Sequence, residues 1–154
     1  MKVRHDRDAE VHARMFSYQL YKAQLERYEG LATSRNSPSF EAQIKSNSPS
    51  DPTARAGIML ASMPKELSEK RAWCLAIEDA WAECIAEDKT SGLRLAEIME
   101  RNFYLSGDPH AREDNAVCRA RICEEFGISE STFFARLRTI TSIVVYHAAA
   151  GGLV

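Results

Sequence analysis

An all-α fold, a helical bundle with a C-terminal helix-turn-helix and an N-terminal helical arm, is predicted by three features of the sequence. Apolar residues recur at steps of three and four along the long patterned stretches, which is the period of one helix face. Capping residues, prolines and glycines stand at the edges of those stretches, where helices start and stop. No run alternates apolar and polar residues convincingly with the two-residue period of a half-buried strand.

The helix-turn-helix is read over residues 115–150. Asn115 is expected to cap its first helix, its side-chain oxygen accepting from an unpaired backbone N–H of the first turn. Val117, Ile122 and Phe126 supply the stripe expected to be buried. Gly127 falls where a chain leaving a helix most often needs positive φ, which glycine adopts at least cost. Ile128 plugs the corner. Ser129 is the expected N-cap of the second helix, whose core face is Phe133, Leu137, Ile140 and Val144.

The opposite face of that second helix carries Glu130, Ser131, Thr132, Ala135, Arg136 and Thr139. In a DNA-binding helix-turn-helix these N-terminal residues reach base edges in the major groove, where short side chains permit close approach. Glu130 suits cytosine N4, Ser131 and Thr132 can donate or accept, and the methyls of Thr132 and Ala135 suit the thymine methyl. Arg136 can fork onto guanine O6 and N7. Arg138, Arg119 and Arg121 are assigned to phosphates, which fix register and affinity but carry no sequence information. The competing reading is an ordinary helical hairpin with a solvated polar face. The agreement of cap, glycine, corner isoleucine and apolar steps favours the DNA-binding one.

Composition bounds the rest. At 154 residues the chain has about one domain's length and can bury a core without covalent staples. No stretch approaches the roughly 18 consecutive apolar residues of a membrane span, and the first residues lack the apolar run of a signal peptide. A cytoplasmic location and no membrane contact are therefore expected. The cysteines Cys74, Cys84, Cys118 and Cys123 fall inside expected helices without Cys-x-x-Cys spacing, so buried free thiols are expected and no metal. The scattered histidines His5, His12, His110 and His147 are read as surface or capping residues. A net charge of −2 argues against a strong non-specific nucleic-acid binder. Weak, salt-sensitive binding per protomer, strengthened by self-association or a partner, is the consequence.

Taken in order, the chain begins with an amphipathic arm over residues 1–31, helical from about 6 to 29. Val11, Met15, Tyr18, Leu25 and Tyr28 form its apolar edge, and Gly30 is expected to end it. Both self-association and docking on its own chain are open for this edge. Residues 32–50 are rich in Ser, Asn and Pro, and with only Phe40 and Ile44 as anchors they read as a linker. A helical domain follows over residues 51–154. Asp51 and Pro52 start a helix that stops near Ser62. Pro64 starts the next, with Leu67, Trp73, Ile77, Trp81 and Ile85 on its apolar face to about residue 88. The tryptophans there read as core rather than as a base-stacking platform. After Gly92 a further helix spans 93–104, and residues 105–110 form a turn by composition.

No phosphate-binding glycine loop, His-Glu-x-x-His, Gly-x-Ser-x-Gly or carboxylate pair in a plausible cleft is present, so no enzyme and no cofactor are expected. Adjacent acids such as Glu78 and Asp79 point to different sides of a helix.

Several segments together resemble the phage late-transcription regulators of the RinA and ArpU type. They are residues 24–28 at the end of the arm, residues 48–57, Phe103-Tyr104, and above all residues 122–133. The last segment also looks like the σ-factor helix-turn-helix that binds a promoter element. The resemblance implies a small α-helical activator of late or packaging genes in a prophage. Such an activator is expected to act in the cytoplasm of a bacterial host cell and to bind double-stranded DNA as a homo-oligomer, with host RNA polymerase as a further partner. The implied DNA-reading positions are Glu130, Ser131, Thr132, Ala135 and Arg136. Two alternatives stay open: the small subunit of a phage terminase binding packaging-site DNA, and a protein-interaction module that binds no DNA.

Overall fold

The computed structural model describes residues 2–33 and 63–154, and within them the chain is all helical. The helices are α1 (Lys2–Phe16), α2 (Tyr18–Thr33), α3 (Lys65–Ser91), α4 (Leu95–Phe103), α5 (Asn115–Phe126) and α6 (Glu130–Ala150), with a 3-10 turn at Pro109–Ala111. The linker expected around Phe40 and Ile44, and the helix expected from Asp51, lie outside the described residues. No described helix is long and apolar enough to cross a membrane.

The longest helix, α3, is the centre of the packing, with α2, α4 and α6 all against it. Trp73, Ile77 and Ala80 of α3 are fully buried, together with Val11 and Met15 of α1. Leu95, Ile98 and Met99 of α4, Ile122 of α5, and Phe133, Ile140 and Val144 of α6 complete the same core. Each of the larger of these side chains contributes about 1.5–3 kcal/mol by leaving water, which is what holds short helices such as α4 in place. Trp73 is core as expected, and Trp81 is half-buried against it. Ile85, expected inward, is nearly half exposed.

The arm docks on its own chain. Val11, Met15, Tyr18 and Leu25 are buried, joined by Tyr21, and α1 packs on α6 while α2 packs on α3. The arm is not one helix from 6 to 29 as its periodicity predicts. It breaks at Ser17, whose Oγ donates to Ala13 O at 2.9 Å while its backbone N–H lies 3.1 Å from Ala13 O and 3.2 Å from Arg14 O. A serine bonding back along its own helix tightens and bends the turn. Gly30, expected to end the arm, does not, because its φ is not positive, and α2 continues to Thr33.

His12, read as a surface residue, is half-buried between helices. Its Nε2 lies 2.8 Å from Thr141 Oγ1 of α6, and that hydroxyl donates onward to Leu137 O at 2.8 Å. Burial holds the His12 pKa below its ordinary value, opposed by the nearby Asp8. The four cysteines are free, and burial pushes the thiols of Cys74 up to about 11 and Cys84 up to about 12.

Candidate nucleic-acid interface

Helices α4, α5 and α6 pack mutually into a three-helix unit, and α6 also packs along the central α3. The entry to α4 is set by α3. Asp88 Oδ1 accepts from Leu95 N–H at 2.7 Å and its Oδ2 from Ala96 N–H at 2.9 Å, covering donors that the helix itself leaves unpaired. Arg94 between them takes φ 57°, and its guanidinium lies 3.5 Å from the centroid of the Phe126 ring. At the other end Tyr104 has φ 55°, its hydroxyl donating to Ala111 O at 3.0 Å.

Asp114, one residue earlier than the expected Asn115, caps α5, its Oδ1 accepting from Ala116 N–H at 3.0 Å. Val117 is 50% exposed, contrary to the expected stripe. Its neighbour Cys118 turns inward instead, with Sγ donating to Arg101 O at 3.4 Å. Ile122 is fully buried and Phe126 half-buried. At Gly127, φ is 62°. Gly127 N–H bonds Glu124 O at 3.3 Å and Ile128 N–H bonds Cys123 O at 3.0 Å, the paired bonds by which a helix closes on a left-handed residue. Ser129 then starts α6 as expected, its Oγ accepting from Thr132 N–H at 3.1 Å.

Phe133, Ile140 and Val144 turn inward, which fixes what α6 shows outside. Glu130, Ser131, Ala135 and Arg138 are exposed, with Thr139 and Ser142 further along, while Thr132 is half-buried under the Ser129 hydroxyl at 3.0 Å. Phe134, absent from the expected set, is 39% exposed on this side. The phase of Phe133, Leu137 and Ile140 already leaves Phe134 outward, so the signal was in the sequence.

The arginines divide sharply. Arg136 is half-buried and points inward, its Nη1 donating to Leu93 O at 3.0 Å, with Nε buried and unpartnered. Arg121 bonds Glu113 at 2.8 Å, beside an open cleft of about 350 Å³ that Glu100, Tyr104 and Asp108 also line. Arg101 pairs with Glu125, and its guanidinium holds that carboxyl below its ordinary range. Arg119 of α5 reaches across the turn to Glu130, 3.1 Å from Oε1. Arg138 alone among the arginines of the described helix-turn-helix has no ion pair or hydrogen bond. The structure therefore brings Ser131, Ala135 and Arg138 together outside, joins Arg119 to Glu130, and directs Arg136 and Arg121 to other parts of the chain. No protein-family model, curated protein or solved structure matches the chain.

Proposed function

We propose that the protein is a sequence-specific DNA-binding transcription regulator. The resemblance to the RinA and ArpU type extends that reading to activation of phage late or packaging genes, with host RNA polymerase as co-binder and a homo-oligomer as the binding form. The observation that carries it is the exposed face of the first turns of α6. There Ser131 and Ala135 are small enough for close approach to base edges, and Arg138 is uncommitted, on a helix that a helix-turn-helix presents outward. Arg138 is the arginine of this face left free to meet DNA, since Arg136 is occupied at Leu93. With a single uncommitted arginine on the motif, affinity per protomer is low and salt-sensitive, and a second protomer or a polymerase contact supplies the remainder.

The test is selection from randomised duplex DNA at near-physiological salt, with the wild type beside a Ser131→Asp, Arg138→Ala variant. A motif enriched by the wild type and lost in the variant supports the reading, and its symmetry reports the oligomer. No enrichment by either protein overturns it. Exposed Phe134 and Tyr146 on the same helix favour one second reading, a protein-interaction module. That reading predicts no enriched motif and a discrete protein partner lost on Tyr146→Ala.

A further inference from the structure

We propose that Arg119 and Glu130 form an exchangeable pair that makes DNA affinity conditional on a cytosine, with Glu130 as a specificity-determining residue. This rests on the DNA-binding reading above. Arg119 Nε donates to Glu130 Oε1 at 3.1 Å, and its guanidinium carbon lies 5.2 Å from the centroid of the Phe134 ring. The pair spans the turn, from the middle of α5 to the first residue of α6. It is accessible, with 29% of the Arg119 side chain and 66% of the Glu130 side chain exposed. A contact so open to solvent is worth little to the fold, so its consequence lies in what each partner does when the other leaves.

Glu130 stands at the tip of the helix that enters the groove. In the free protein it occupies the cation that would otherwise meet a phosphate. A duplex offers phosphates that compete for Arg119, but releasing Arg119 leaves a carboxylate facing base edges. A cytosine amino group donates to that carboxylate, whereas guanine O6 and thymine O4 repel it, and adenine sets a repelling N7 acceptor directly beside its N6 amino donor. The exchange completes only where cytosine replaces Arg119 as the partner of Glu130. At other sequences the protein either keeps its ion pair and forgoes a phosphate contact, or leaves the acid unpaired, and both outcomes discriminate against the wrong site. Of the other arginines of the motif, Arg121 is held by Glu113 and Arg136 by Leu93 O, and Arg138, already free, makes the same contact in either state and so does not replace Arg119.

The experiment measures affinity for a random-sequence duplex and for the selected duplex as a function of salt, using wild type, Glu130→Gln, Arg119→Ala and the double variant. Glu130→Gln is expected to tighten random-duplex binding about two- to fivefold, the size of an exposed ion pair. It should also steepen the log–log salt dependence by about 0.9, one phosphate. Both changes should vanish in the Arg119→Ala background, and Glu130→Gln should lose preference at one cytosine of the selected site. If Glu130→Gln weakens random-duplex binding, or tightens it equally without Arg119, the exchange is overturned while DNA binding stands. If the wild type binds neither duplex at low salt, the DNA-binding reading falls and the exchange falls with it.

Discussion

Arg136 and Leu93, 43 residues apart in the chain, are joined by a 3.0 Å hydrogen bond that ties α6 to the corner between α3 and α4. The bond sets where α6 sits relative to the central helix, and it turns an arginine of the polar face into a strut.

Arg136→Ala is accordingly expected to lower the unfolding free energy by about 1–3 kcal/mol, since it removes a charged donor and strands the Leu93 carbonyl. The selected DNA motif should stay the same. Urea titration and a repeat selection check both halves; a loss of preference at one base pair without loss of stability would return Arg136 to the reading face.

Arg138→Ala should behave in the opposite way. Stability is expected to move by less than about 0.5 kcal/mol, as for most exposed positions. Binding should weaken, and if Arg138 lies on a phosphate the salt slope should fall by about 1 for every sequence alike. A base-specific loss at constant slope would instead put Arg138 on a guanine.

Burial on α5 gives a paired contrast. Ile122→Ala should cost about 2–5 kcal/mol, the range for emptying a filled core site, whereas Val117→Ser at a half-exposed position should change little. Equal losses would mean that the phase of α5 is wrong.

What the sequence made legible was what local chemistry decides. Gly127 and Ser129 are set by residues within a few positions of them, and the core face of α6 follows from spacing alone. What it hid depends on distant partners. Nothing near Arg136 announces Leu93, and nothing near His12 announces Thr141, because those contacts exist only once α1, α4 and α6 have packed. Val117 and Cys118 are neighbours of similar size and apolarity, so a rotation of about 100° per residue decides between them and periodicity over one short helix does not. Asp114 and Asn115 are both good caps, and the choice turned on a single register.

Asp88 provides a test of how α4 is started. Asp88→Ala should cost about 1–2 kcal/mol through loss of the cap to Leu95 and Ala96, and Asp88→Asn should recover only part of it, because one of the two accepting oxygens becomes an amide NH2. Urea denaturation of both variants decides, and equal losses would point to charge rather than hydrogen bonding.

His12 predicts an acid-side weakening. Because burial lowers its pKa in the folded state, the unfolded chain takes up more protons as pH drops below the ordinary value of about 6.5. The contribution is fully present above that value and is lost as pH falls through the window toward the folded one. The urea midpoint of the wild type should fall between pH 7.5 and 5.5, and His12→Gln should fall less; identical slopes would assign the loss to other groups.

Helix α4 is only 9 residues long and is bracketed by left-handed residues, Arg94 and Tyr104, each fixed by contacts of its own. It works as a keyed spacer. Adding one residue would advance its far end by about 1.5 Å and turn it by about 100°, carrying Phe103 away from the rings of Phe16 and His12 that it meets. Substitutions along α4 leave that phase intact, while insertions and deletions do not. Variants of this protein should therefore tolerate volume-conserving apolar exchanges in α4 far better than any change of its length.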